Sequence, residues 1–226
     1  MRYGIYGGSF DPIHWGHLLL AETCLRKAHL DRVIFVPSGI SPHREKTGQT
    51  PGALRAEMIE SAIAGCEEFS VSRFEIEREK ISYTVETVRY FRDSLPDAEL
   101  FLLAGADMYF DLPHWYEVSE ILNITVPVGV RRPGDPPPSA EVFRELVSSE
   151  RLELFRRYLV TMPLIEISSR MIRHAVANNE SVRFLLPPAV EALMRSHGLY
   201  DTEDGFLDHK GHKVAQKIIS SYGDFI

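Results

Sequence analysis

The chain has 226 residues, of which 44% are hydrophobic and 25% charged, values typical of a globular domain with a sizeable core. Its apolar runs are short and interrupted by charges, so we expect no segment that could span a bilayer. The net charge of −7 and the scattered positive residues disfavour a nucleic-acid-binding protein, which usually carries a basic stripe.

Strands and helices are predicted to alternate along the chain. The predicted strands lie at 2–6, 32–37, 69–76, 100–104, 124–130 and 159–167, and the predicted helices at 14–28, 51–66, 84–94, 115–121, 140–157 and 169–176. Several strands, such as the one at 100–104, are continuously apolar, a pattern typical of strands covered on both faces. The sequence therefore predicts the α/β class, with a doubly wound, mostly parallel, Rossmann-like sheet and helices on both faces.

Two further features bear on domain organisation and compartment. Residues 1–200 are predicted to form one domain. Residues 201–226, where the composition changes, are predicted to form a C-terminal appendage with a helical pattern. Cys24 and Cys66 are too few for a disulfide framework, and their apolar neighbours predict buried free thiols. The chain enters its first predicted strand too early to leave room for a signal peptide. We therefore expect a cytoplasmic protein.

The segment 7–17 reads Gly-Gly-Ser-Phe-Asp-Pro-Ile-His-Trp-Gly-His and joins the first predicted strand to the first predicted helix. Glycine lets the backbone approach a ligand closely, and the beginning of a helix presents N–H groups that suit phosphate. His14 and His17 are three residues apart, so on a helix they share one face. We expect this segment to bind the phosphates of a nucleotide beyond the carboxyl end of the first strand.

The segment 167–173, Ile-Ser-Ser-Arg-Met-Ile-Arg, lies where a predicted strand ends and a helix begins. Serine fits the N-cap position, and Arg173 follows Ser169 by four residues, one turn further along the same face. A hydroxyl, helix N–H groups and a guanidinium can hold a second phosphate. A serine pair before a helix is more often a simple cap, so this prediction depends on the first motif.

The two motifs together resemble those of the nucleotidyltransferases that transfer AMP or CMP from a nucleoside triphosphate. Further segments follow in the order typical of bacterial-type nicotinate-mononucleotide adenylyltransferases: Pro-Ser-Gly-Ile-Ser-Pro-His-Arg at 37–44, Ser-Tyr-Thr-Val-Glu-Thr at 82–87, Gly-Ala-Asp at 105–107, Leu-Pro-His-Trp at 112–115, Arg-Pro-Gly at 132–134 and Phe-Leu-Leu-Pro-Pro at 184–188. The resemblance to this family of NAD-biosynthesis enzymes extends over residues 1–200.

The resemblance implies transfer of AMP from ATP to nicotinate mononucleotide, with these small molecules as partners and with Mg²⁺ accompanying ATP. It implies catalytic roles for His14, His17 and Arg173. It implies ATP or phosphate binding by Gly7, Gly8, Ser9, Phe10, Ser168, Ser169, Gly105, Asp107 and Arg132. It implies binding of the pyridine mononucleotide by Arg44, Thr84 and Trp115. No protein metal site, nucleic acid or membrane partner is implied, and whether the protein forms an oligomer stays open.

Three alternative functions also stay open. Nicotinamide mononucleotide differs from nicotinate mononucleotide only by an amide in place of a carboxylate, and the backbone donors that would distinguish them cannot be read from a sequence. A phosphopantetheine adenylyltransferase would be shorter and would usually carry threonine at the position of His14. A non-catalytic nucleotide-binding regulator would need the glycine loop alone, so the presence of His14, His17 and Arg173 favours an enzyme.

Overall fold

Six parallel strands form the sheet of the computed structural model, which describes residues 1–40, 49–78, 80–131 and 137–201. The strands are β1 (Arg2–Gly8), β2 (Arg32–Pro37), β3 (Phe69–Val71), β4 (Glu99–Gly105), β5 (Thr125–Arg131) and β6 (Leu159–Thr161). Their order across the sheet is β3-β2-β1-β4-β5-β6, with β1 paired to both β2 and β4. In this doubly wound order the winding reverses between β1 and β4, where ligands usually bind. The predicted fold class is confirmed.

Helices pack on both faces of the sheet and bury its strands. They are α1 (Trp15–Lys27), α2 (Gly52–Ala62), α3 (Thr84–Ser94), α4 (Ala106–Asp111), α5 (Val118–Ile124), α6 (Ser149–Arg156), α7 (Ser169–Ala177) and α8 (Pro188–Ser196). Every residue of β4 after Glu99 is buried, whichever face of the sheet its side chain lies on. This is why its sequence is continuously apolar rather than alternating.

Two predicted strands are longer than the observed ones. The strand predicted at 69–76 ends at Val71, and the chain then turns so that Phe74 stacks on Tyr90 with ring centroids 4.2 Å apart. The strand predicted at 159–167 ends at Thr161. Pro163 follows two residues later and has no N–H to continue the hydrogen-bonded ladder.

The helices differ from prediction where turns interrupt a helical pattern. The helix predicted at 115–121 begins only at Val118, because a 3-10 turn (Leu112–His114) precedes it and Glu117 has a left-handed φ of 51°. The helix predicted at 140–157 is divided into a 3-10 turn (Ala140–Phe143) and α6, which begins anew where Ser148 supplies an N-cap. Helices α4 and α8 are absent from the predicted elements; α4 is only six residues long and follows β4 without a loop.

The two cysteines lie in different environments. Cys24 is buried within α1, and this burial raises the pKa of its thiol, as a buried free thiol requires. The prediction of burial is wrong for Cys66, which is exposed because α2 already ends at Ala62 and Gly65 turns the chain at a φ of 87°. Among the described residues, no helix has the length and apolar character needed to cross a membrane. The predicted appendage at 201–226 lies outside the described residues except for Asp201.

Candidate active site

The loop between β1 and α1 lies at the carboxyl edge of the sheet, beside the point where the winding reverses. Phe10 adopts a left-handed φ of 47° and is fully buried. Its ring packs so closely on Gly8 that a Cβ there would lie 2.9 Å from Phe10 Cζ. A Cβ on Gly7 would meet no described atom within 4 Å. The Phe10 ring therefore fills the space beside Gly8, whereas the space beside Gly7 is open to a ligand.

His14 and His17 stack on each other at the beginning of α1, with ring centroids 3.8 Å apart. His14 is the N-cap residue, and its Nδ1 accepts a hydrogen bond of 3.1 Å from the Gly16 N–H. In the neutral imidazole the proton then lies on Nε2, which makes that atom a donor. Gly16 permits this geometry because a Cβ there would lie 3.0 Å from the His14 ring.

Helix α7 is anchored directly to the same loop. The Ser169 hydroxyl donates to the Pro12 carbonyl at 2.9 Å, and Arg173 donates to the Asp11 carbonyl at 2.6 Å. The Ser168 hydroxyl caps the helix by accepting the Met171 N–H at 3.2 Å. The two segments that the sequence predicts to bind phosphate are thus in contact. The two hydrogen bonds join residues that are 157 and 162 positions apart in the chain.

Arg55 binds the glycine loop through a backbone carbonyl, a role that no sequence motif predicts. The side chain is only 3% exposed and donates to the carbonyls of Ser9 and Ser38 at 2.7 Å each and to that of Thr50 at 2.9 Å. Ser9 belongs to the glycine loop and Ser38 follows β2, so one guanidinium joins two neighbouring strand ends. Arg55 also places a positive charge next to the loop that is expected to bind anionic phosphates.

The other predicted site residues belong to segments outside the two phosphate motifs. Gly105 ends β4 and is the N-cap residue of α4, and Asp107 is exposed in the first turn of that helix. Thr84 is the first residue of α3 and is half-buried. Trp115 is half-buried after the 3-10 turn, and its Nε1 donates to the Asp111 carboxylate at 3.0 Å. Arg44 and Arg132 lie outside the described residues.

A half-buried carboxylate lies in the segment before Thr84. Glu75 accepts the Thr87 hydroxyl at 2.6 Å and the Gly39 N–H at 3.2 Å. Gly39 is essential to this packing because a Cβ there would lie 2.3 Å from the Glu75 carbonyl oxygen. Burial raises the pKa of Glu75, although both hydrogen bonds and nearby Arg78 act to lower it.

This raised pKa predicts how Glu75→Gln changes the pH dependence of stability. A carboxyl with a raised pKa binds its proton more tightly when folded, so its contribution to stability is fully present below the unfolded pKa of about 4.3 and falls as pH rises through the folded value. We expect the free energy of unfolding of Glu75→Gln to increase relative to wild type between pH 4 and pH 7. Urea unfolding of both proteins at several pH values measures this, and a difference independent of pH would contradict it.

Comparison with known proteins shows the family to which this sequence belongs. Residues 5–175 match the model of the cytidylyltransferase-like family. A protein of Moorella thermoacetica named as a probable nicotinate-nucleotide adenylyltransferase is 41% identical over 200 residues, covering 88% of this chain and 91% of the relative. A protein of the same name from Bacillus licheniformis is 37% identical over 201 residues, covering 89% and 99%. The chain belongs to the nicotinate-nucleotide adenylyltransferase family.

Solved structures agree with this family at the level of fold. A Plasmodium falciparum nicotinic acid mononucleotide adenylyltransferase complexed with NaAD matches 88% of this chain and 97% of its own, with a TM-score of 0.69 and 16% identity. The same protein complexed with APC matches 88% and 96%, with a TM-score of 0.67. The resemblance predicted from the sequence motifs is confirmed, and the adenylyltransferase fold carries those motifs at the carboxyl edge of the sheet.

Proposed function

We propose that this chain transfers AMP from ATP to nicotinate mononucleotide, forming nicotinate adenine dinucleotide and releasing pyrophosphate. The observation that carries the proposal is the direct contact between the two phosphate motifs, in which Ser169 and Arg173 bind the carbonyls of Pro12 and Asp11. This contact joins the beginning of α7 and the Arg173 guanidinium to the loop that leads into His14. Membership of the nicotinate-nucleotide adenylyltransferase family supports the choice of acceptor.

The chemistry needs positioning and charge more than a protein nucleophile. The phosphate of nicotinate mononucleotide attacks the α-phosphorus of ATP in line, the new P–O bond forms, and the bond to pyrophosphate breaks with the electron pair on the leaving oxygen. Both reactants are anions, so donors fixed along their path lower the barrier. We propose that His14 and His17 contact the triphosphate and that Arg173 and Ser169 hold its β- and γ-phosphates. In an acidic chain of net charge −7, the Arg173 guanidinium supplies a local positive charge that attracts the anionic substrates.

We propose the remaining roles from the family resemblance. We assign the space over Gly7, Gly8, Ser9 and Phe10 to the phosphates, and Gly105 and Asp107 to ribose hydroxyls. Because the Ser168 hydroxyl is used as a cap, its contribution is to fix the first N–H groups of α7. Arg132 is assigned to the adenosine end, and Arg44, Thr84 and Trp115 to the pyridine mononucleotide. A cytoplasmic location is supported by the free thiols of Cys24 and Cys66.

We also propose that Mg²⁺ enters with ATP. Within the described ranges, no group of three or more histidine, cysteine or carboxylate side chains could enclose a metal ion. In nucleotide sites Mg²⁺ is usually held mainly by phosphate oxygens and water. When bound with ATP, it would neutralise charge on the pyrophosphate.

The test is pyrophosphate release with ATP and Mg²⁺, comparing nicotinate mononucleotide, nicotinamide mononucleotide and phosphopantetheine as acceptors. Strong preference for nicotinate mononucleotide is expected. Preference for nicotinamide mononucleotide would keep the mechanism and change the substrate, and activity only with phosphopantetheine would contradict the roles of Thr84 and Trp115. ATP binding without turnover of any acceptor would favour a regulator.

Trp115→Ala is expected to raise the KM for nicotinate mononucleotide by about 10-fold, because stacking of an aromatic side chain on a base is worth roughly 1–3 kcal/mol. The KM for ATP should stay unchanged. The matched control is Tyr90→Ala, which removes an exposed aromatic ring that stacks on Phe74. Steady-state kinetics with each substrate varied in turn measures both values, and a rise confined to the ATP KM would exclude stacking on the pyridine ring.

A further inference from the structure

The side chain of Asp11, inside the glycine loop, is held by the far end of the described chain. The Tyr200 hydroxyl donates to Asp11 Oδ1 at 2.6 Å across a sequence separation of 189 residues. The Thr50 hydroxyl donates to the Tyr200 oxygen at 3.1 Å, and the Thr50 N–H reaches Asp11 Oδ2 at 3.4 Å. Asp11 is only 5% exposed and Thr50 8%. These three residues form a closed set of hydrogen bonds in which Asp11 and Thr50 are buried and Tyr200 is half-buried.

This set has one strong member. The Asp11–Tyr200 bond is short, whereas the Thr50 N–H lies at the long limit of a hydrogen bond. Burial and the neighbouring carboxylate raise the pKa of Tyr200, so the phenol keeps its proton and remains a donor. The orientation of the Asp11 carboxylate therefore depends mainly on Tyr200.

The backbone of Asp11 carries the connection to the phosphate site. Its carbonyl accepts Arg173 at 2.6 Å, and the next carbonyl, that of Pro12, accepts Ser169. A carboxylate that turned towards bound ATP would also repel its phosphates. A fixed Asp11 side chain thus serves two purposes, because it directs a negative charge away from the ligand and it places the anchor of Arg173.

We propose that Tyr200 is a positioning residue for the adenylyl transfer, acting on Arg173 and the phosphate loop through the Asp11 carboxylate. The inference rests on the proposed function for its kinetic readout, since it assigns the phosphate loop to ATP. Tyr200 touches no proposed reacting atom. Tyr200, which also packs against the core, thereby belongs to the framework of the site.

Tyr200→Phe is expected to weaken ATP binding and to lower kcat/KM for ATP by about 10-fold, because small misplacement of positioned groups lowers rates strongly. The KM for nicotinate mononucleotide should change little. Two phenols provide matched controls. Tyr158→Phe removes a hydroxyl that accepts from Arg2 at the amino edge of the sheet, and Tyr109→Phe removes a buried hydroxyl with no partner in the described residues. Both should keep wild-type kinetics.

A double-mutant comparison separates positioning from stability. If Tyr200 acts through Asp11, the Tyr200→Phe effect should disappear when Asp11 is already alanine, and Asp11→Asn, which retains an acceptor for the phenol, should keep more activity than Asp11→Ala. Wild-type kinetics of Tyr200→Phe, or a loss undiminished beside Asp11→Ala, would overturn the proposal. The ATP affinity of each variant is measured in parallel by calorimetry. If the wild type were inactive with nicotinate mononucleotide, the proposed function would be overturned. The ATP affinities of wild type and Tyr200→Phe would still show whether Tyr200 positions the phosphate loop.

Discussion

Replacing His17 by alanine is expected to lower kcat/KM by a factor of about 10² to 10³, the size associated with loss of one well-placed donor to developing charge. His17 is held on two sides, by the stacked ring of His14 at 3.8 Å and by the edge of Phe10 at 5.0 Å. Its imidazole is therefore fixed before substrate binds, so no ordering is required when the phosphates arrive. Steady-state rates of pyrophosphate release measure the loss.

The control for His17→Ala is His197→Ala, which removes an exposed ring at the end of α8. We expect His197→Ala to match wild type in rate and thermal unfolding, and His17→Ala to match it in unfolding only. A His17→Ala variant within threefold of wild type would remove His17 from the catalytic set. A joint fall in rate and melting temperature would instead assign it a structural part in the Phe10 packing.

The fold was predictable from sequence because its strongest signal is local. Continuous apolar runs such as β4 predict strands covered on both faces, and the structure buries every residue of β4 after Glu99. The errors occur where a tertiary contact decides the backbone. The chain leaves β3 at Val71 because Phe74 finds a partner in Tyr90 of α3, and no pattern within 69–76 announces that contact.

In the candidate site, too, contacts between residues close in sequence were predictable and contacts between distant residues were not. His14 and His17 are three residues apart, so their proximity follows from helix geometry. The hydrogen bond from Arg173 to the Asp11 carbonyl spans 162 residues, a separation over which no local pattern predicts a contact. The family resemblance implied only that both motifs belong to one site. Arg55 and Tyr200 were missed as functional residues because each acts on main-chain or side-chain atoms distant in sequence. One signal for Arg55 was present: it shares a helix face with the buried Met58 and Ile59, where a charge needs a partner.

Arg55→Met is expected to reduce both stability and catalysis. Arg55 is only 3% exposed, and its guanidinium donates to three carbonyls. Hydrogen bonds to charged groups are worth about 1.5–3 kcal/mol each in proteins. Removing it leaves the carbonyls of Ser9 and Ser38 without this donor, so we expect a loss of about 3 kcal/mol in the free energy of unfolding. Because Ser9 belongs to the glycine loop, kcat/KM should fall by about 10-fold or more.

Arg151 offers a matched control for this prediction. It also donates to three carbonyls, those of Leu122, Asn123 and Thr125, but at the amino edge of the sheet where β5 begins. Arg151→Met should therefore lower the urea midpoint and leave kcat/KM per folded molecule unchanged. If both variants lost stability but neither lost activity, Arg55 would be a structural residue only. If Arg55→Met alone lost activity at a temperature where both variants are folded, the loss would come from the loop that Arg55 holds. Both guanidiniums bind three carbonyls, but they do so at opposite edges of the sheet.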